Sequence, residues 1–132
     1  MSIPARLVSR DNYNLVNFNA LRSGVFKGIT GTIQTVFPTN QAIYGWSLNN
    51  NDAGIRWVQI FFKPATQVIA AGGLGVVPPD KTIQLPASVN TTLELDNPIL
   101  ATNGFSWACT TGETNNVAVT AAVTGDLYVA IQ

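Results

Sequence analysis

Apolar residues in this chain recur at every second position, in short runs closed by glycine, proline, asparagine or aspartate. That period fits the strand, whose successive side chains point to opposite faces. No window carries sustained helical spacing between recognisable caps. Ala42, Tyr44, Trp46 and Leu48 alternate with Ile43, Gly45 and Ser47 before the turn Asn49-Asn50-Asn51-Asp52. GIRWVQIFFKP follows at residues 54–64 and is halted by Pro64. Ile83 and Leu85 form a short strand ended by Pro86, and Val89, Thr91, Leu93 and Leu95 form another, ended near Pro98. Asn103-Gly104 is a hairpin turn leading into Phe105, Trp107 and Cys109. Residues 117–123 are rich in valine, threonine and alanine, Leu127, Val129 and Ile131 close the chain, and residues 30–37 alternate less cleanly. Glycines 72, 73 and 75 break the apolar stretch 68–77 as a helix. Seven or eight short strands at regular spacing predict an all-β antiparallel sandwich with no helix longer than a turn or two. Phe105, Trp107, Cys109, Leu127, Val129 and Ile131 are its expected core.

The strand at residues 55–62 departs from simple alternation. Ile55, Trp57, Gln59 and Phe61 occupy one face and Arg56, Val58, Ile60 and Phe62 the other, so both are largely apolar. A sandwich buries one face of each sheet and leaves the other to water. Charged residues make up 11% of the chain, less than half the usual share of about 25%, so little keeps a free surface solvated. These features predict burial against neighbouring subunits, with Arg56, Val58, Ile60 and Phe62 in a protein–protein interface. Internal cover from residues 68–79 or from the N-terminal segment is the alternative.

The charges are unevenly placed. Residues 1–27 hold four basic groups against one acidic, a net of +3, and residues 28–132 hold three against six, a net of −3. The leading segment interleaves Asn12, Asn14, Asn17 and Asn19 with Tyr13, Leu15, Val16, Phe18 and Leu21. Two domains of different kind are expected: an extended N-terminal arm over residues 1–27 and a β-sandwich over 28–132. The arm would reach a neighbouring chain through Arg6, Leu7, Arg10, Tyr13, Leu15 and Phe18, because guanidinium forks pair directionally with carboxylates. The plainer reading makes this segment an edge strand of the domain's own sheet. The formal net charge is zero, which gives no field toward nucleic acid or anionic lipid, and neither is an expected partner.

Catalytic chemistry finds few candidates. The chain has no histidine, the commonest general base and metal ligand. Cys109 is the single cysteine and alternates with Phe105 and Trp107, which marks a small core residue rather than a nucleophile. Asp52, Asp80, Asp96 and Asp126 sit beside turn residues, and Glu94 reads as part of a solvated strand face. No acidic loop approaches the six to eight oxygens of a calcium site. The Ala71–Gly75 stretch lacks the following Lys-Ser/Thr of a phosphate loop. Trp46, Trp57 and Trp107 fit a sugar-stacking platform, but their alternating positions favour the core. No catalytic residue, metal ligand or cofactor site is expected. No secretion signal or apolar span stands at the start, and a single cysteine permits no internal disulfide, so synthesis in a cytoplasm is expected.

From Tyr44 onward the residue order resembles a family of small jelly-roll domains in structural proteins of tailed bacteriophages. The matching pieces are YGWSLNN (44–50), RWVQIFFK (56–63), IQLPA (83–87), NPI (97–99), NGFSWACTTGE (103–113) and DLYVAIQ (126–132). Order and spacing carry the resemblance, which covers about three-quarters of the chain and leaves residues 1–27 outside it. The insert at 68–77 is longer and richer in glycine than the family's short connection. The resemblance implies a jelly-roll-like sandwich without catalysis: a capsid cement or decoration protein, made in the host bacterium and placed on the virion capsid surface. Its implied partners are the major capsid protein and further copies of itself, with a trimer the first expectation and a dimer the second. The alternative is a host-surface or glycan-binding module of a tail or fibre.

Overall fold

The computed structural model describes residues 22–117 and 123–130, with side chains from 28–117 and 123–129. Eight strands and one short helix follow in order among the described residues: β1 (Arg22–Ile29), β2 (Gln34–Phe37), β3 (Gln41–Asn50), β4 (Arg56–Phe61), α1 (Ala65–Ala70), β5 (Lys81–Leu85), β6 (Asn90–Ala101), β7 (Phe105–Thr110) and β8 (Val123–Ala130). They form two four-stranded sheets, the first ordered β1-β8-β3-β6 and the second β2-β7-β4-β5. Every pairing is antiparallel, and the chain is an all-β sandwich.

The two inner faces meet in a single core. The first sheet contributes Ile29, Ile43, Trp46, Leu48, Val123, Leu127 and Val129, and the second Val58, Ile60, Ile83, Leu85, Phe105, Trp107 and Cys109. Phe105 and Trp107 stand edge to face, with ring centroids 5.5 Å apart, a favoured aromatic geometry. Five of the six residues expected in the core are buried there, and Ile131 lies outside the described residues.

Three local features differ from the expectations. In β3, Ile43 faces inward together with Trp46 and Leu48, while Tyr44 faces out. The cause is a bulge: Ile43 pairs with Val129 and Gly45 with Tyr128, so Tyr44 is one residue too many for β8 and the alternation changes phase. On the other side, Ile43 pairs with Ile99 and Gly45 with Glu94, which leaves residues 95–98 of β6 outside the ladder. The strand therefore continues through Pro98 instead of ending there, because β6 is a sheet edge where a missing N–H costs no ladder bond. Third, residues 65–70 form a helix. Pro64 supplies its fixed φ at the entry, and its carbonyl accepts from Gln67 and Val68. Gly72 and Gly73, at positive φ, end the helix rather than prevent it, with Gly73 N–H donating to the Val68 carbonyl at 2.9 Å.

The expected division between residues 27 and 28 falls inside β1, whose register with β8 runs without a shift from Arg22↔Ala130 to Ile29↔Val123. Residues 22–27 therefore belong to the sandwich as an edge strand, and the remainder of the expected arm, residues 1–21, lies outside the described residues.

Gly45 is the most demanding position in the bulge. Its φ is 142°, and a Cβ there would overlap the carbonyl oxygen of Leu93 on β6. Gly45→Ala is expected to lower stability by about 3 kcal/mol or more, through backbone strain and loss of the β3–β6 register. Gly28→Ala, where a Cβ would meet nothing within 4 Å, should change it by less than about 0.5 kcal/mol. Urea denaturation of both variants checks the contrast.

Candidate interaction surfaces

The apolar face offered as an interface turns out to be core. Val58 and Ile60 have no exposed surface and sit in the cluster between the sheets. Phe62 is half-buried against the same cluster, with its ring centroid 6.4 Å from that of Phe105. Arg56 closes the end of this row: its Nε and Nη2 both donate to Asp52 Oδ2, the first at 3.0 Å. The guanidinium beside Asp52 holds that carboxyl below its usual range. Val58 and Ile60 thus have nothing left to offer a partner. Of the expected interface on this strand, only Arg56 and Phe62 keep partial exposure. Arg6, Leu7, Arg10, Tyr13, Leu15 and Phe18 lie outside the described residues.

The opposite face of β4 carries Trp57, Gln59 and Phe61, in register with Thr110, Ala108 and Ser106 of β7. Gln59, Phe61, Ser106, Ala108 and Thr110 are all buried. The chain covers them itself. Helix α1 packs against β2 and β7, with Val68 fully buried, and the Ala65 N–H donates to Thr35 Oγ1 at 2.8 Å. Ser106 Oγ donates to the Lys63 carbonyl at 2.8 Å, which fixes the approach to the helix. Gln59 Nε2 donates to Thr110 Oγ1 at 2.9 Å and to the Asn115 carbonyl at 2.8 Å, drawing residues 111–117 across the sheet. Asn116 lies alongside Gly75, so the segments after α1 and after β7 meet. Internal cover, the alternative reading of the two-faced strand, is what the fold uses. The signal was Gln59 itself: a polar residue inside an apolar run needs a partner, and here its amide ties down the lid.

The outer face of the first sheet has a different character. Ser47 and Asn49 of β3 stand in register with Thr92 and Asn90 of β6 and with Asp126 and Thr124 of β8. Asn90 Nδ2 donates to Asn49 Oδ1 at 2.8 Å and to Ser47 Oγ at 3.2 Å, and Thr92 Oγ1 donates to Asn90 Oδ1 at 2.6 Å. Cross-strand hydroxyl and amide pairs of this kind hold a flat polar surface in one arrangement. Tyr44, Tyr128 and the exposed Leu100 add apolar area, and Glu94 and Asp126 add negative charge. At one end of the sandwich, Asn50 is almost fully buried. Its Nδ2 donates to the carbonyls of Gly54, Leu85 and Pro86 and its Oδ1 accepts from the Asp52 N–H, joining the β3–β4 turn to the end of β5.

Other candidates are structural. Trp46 and Trp107 are buried and only Trp57 is partly exposed, so the three do not form a stacking platform. Among the described residues, no group of three or more His, Cys, Asp or Glu is placed to hold a metal ion. None of the described helices is long and apolar enough to cross a membrane.

Cys109 lies in the core without exposure, and burial pushes its thiol up from 9.0 to about 11. Below pH 9.0 the thiol is protonated in both folded and unfolded chains, and the burial costs nothing. Between 9.0 and about 11 the unfolded chain loses the proton while the folded one keeps it, so stability falls as pH rises through this window. Cys109→Val is expected to show a shallower decline than the parent over that range in denaturant titrations at stepped pH. At pH 8, a thiol reagent should modify Cys109 only after unfolding.

No protein-family model matches this chain, and no curated protein or solved structure matches it either.

Proposed function

We propose that this chain is a non-catalytic virion structural protein of a tailed bacteriophage, a capsid cement or decoration protein built on a jelly roll. The observation that supports it most is the pairing pattern: β1 with β8, β2 with β7, β3 with β6 and β4 with β5. A long antiparallel hairpin wound into two sheets produces that nesting, and jelly rolls of this plan recur in capsid proteins. The residue order from Tyr44 onward, which resembles small phage jelly-roll domains, points the same way. Fold alone does not specify function, so that order, with the basic leading segment, is what favours a capsid over other uses.

In this reading the sandwich is a rigid body and residues 1–21 are the anchor. Arg6 and Arg10 flank Leu7 and Val8, a pattern suited to pairing with carboxylates beside an apolar groove. The partner is the major capsid protein, together with neighbouring copies of this chain. A trimer is the expected assembly by analogy of fold, since the apolar face of β4 is satisfied internally and supplies no further motive.

Deleting residues 1–12 separates the anchor from the body. The truncated protein is expected to fold with near-normal thermal unfolding but to occupy shells poorly when mixed with capsids lacking it. The loss should grow with salt as exposed ion pairs are screened. Full shell occupancy by the truncated protein, read by quantitative mass spectrometry of purified particles, would overturn the anchor. Absence of the full-length chain from the particles would overturn the cement role itself.

A further inference from the structure

We propose that Asn103 is a site of spontaneous covalent modification: the Gly104 nitrogen displaces its side-chain amide, leaving aspartate or isoaspartate. The inference is independent of the capsid reading. The chain has thirteen asparagines, and Asn103 alone is followed by glycine. A Cβ on the following residue crowds the approach of its nitrogen to the carboxamide, and glycine has none. Asn103 is exposed in residues 102–104, which link β6 to β7. Among the described residues, no hydrogen bond holds its carboxamide. Its rivals are tied down or shielded. Asn50 is buried with its amide donating to three carbonyls, and the side chains of Asn49, Asn90 and Asn115 are each hydrogen-bonded. Asn97 precedes Pro98, whose nitrogen has no proton to lose, and Asn40, Asn51 and Asn116 precede Gln41, Asp52 and Val117.

The reaction needs only the chain and water. The Gly104 nitrogen gives up its proton and bonds to Asn103 Cγ, the Cγ–Nδ2 bond breaks, and the side-chain nitrogen leaves as ammonia. Nucleophile and carboxamide belong to adjacent residues, so the cyclic imide closes without any encounter cost. Water then opens the imide at either carbonyl. One opening leaves aspartate, and the other leaves isoaspartate, whose main chain runs through the β-carbon. The net change is one water consumed, one ammonia released and one carboxylate gained. Position decides what the product does. Residues 102–104 carry the chain from the first sheet into the second. Gly104 has φ 120°, and a Cβ there would lie 2.7 Å from the Phe37 carbonyl oxygen, so this corner packs closely on the β2–β3 connection, which crosses the other way. Aspartate preserves the corner. Isoaspartate lengthens the main chain inside it by one carbon and should weaken the fold there.

Peptide mapping of the aged full chain tests the site, using mass spectrometry with fragmentation that separates aspartate from isoaspartate. In the folded protein, Asn103 is expected to convert at least about tenfold faster than any other asparagine, with isoaspartate among the products. Mildly alkaline buffer should speed the conversion, because the attacking nitrogen must lose its proton. Asn103→Gln, which would have to close a larger ring, should abolish the conversion at this position. The same mapping in urea supplies the rate for the unfolded chain. A folded rate within about tenfold of it supports a site that the fold leaves open; a slower one would overturn the proposal, as would faster conversion at another asparagine. Asn103→Asp separates the added charge from the lengthened chain. It should keep the parent's urea midpoint, whereas the isoaspartyl fraction, isolated by chromatography, should unfold earlier. An isoaspartyl fraction with the parent's midpoint would overturn the effect on the corner.

Discussion

Burial of both faces of β4 and β7 is the constraint on which the rest of this structure depends. A two-sheet sandwich has room for one core, yet every residue of β7 and four consecutive residues of β4 are out of contact with water. The chain meets this with a third, irregular layer made from α1, the approach to it at Lys63 and residues 111–117 after β7. Val68 supplies the apolar contact, and Gln59 and Ser106 supply hydrogen bonds from the sheet up into the cover. Gln59 Nε2 and the Ser106 hydroxyl are paired, whereas Gln59 Oε1 is buried without a hydrogen-bond partner among the described residues; a buried polar group left unpaired costs about 1–3 kcal/mol. Placing Gln59 beneath the Asn115 carbonyl and Ser106 beneath the Lys63 carbonyl therefore fixes where the cover sits, as an all-apolar surface would not.

The asymmetry between the sheets follows. With the second sheet closed on both sides, the outer face of the first is the broad surface left to the described residues. Its ladder of Ser47, Asn49, Asn90 and Thr92 is polar without being highly charged, and its edge at β6 is blunted by Pro98 and by the bulge at 95–98. A surface held by its own cross-strand bonds loses little entropy when a partner arrives.

Strands were legible in the sequence because a period of two is hard to produce by any other means. The core followed from it, through Phe105, Trp107, Cys109, Leu127 and Val129. What escaped were places where one residue changes the count. Tyr44 is an added residue whose effect depends on β8, far along the chain, so local alternation put it on the wrong face. Pro98 looks like a terminator until β6 is known to be an edge, and α1 is too short for helical periodicity to register. For β4, the sequence showed two apolar faces and offered residues 68–79 as internal cover only as the alternative to neighbouring subunits, because neither the short helix before the glycines nor the role of residues 111–117 is visible in local periodicity. Val58 and Ile60, which local pattern alone offers to a partner, belong to the core.

Amide hydrogen exchange of β4 and β7 at decreasing protein concentration tests internal cover most directly. If the chain covers its own second sheet, protection of residues 56–61 and 105–110 will be unchanged across about a hundredfold dilution. If neighbouring copies supply the cover, mass action requires that protection weaken by about 2.7 kcal/mol over the same range. That loss, confined to these two strands, would contradict the account.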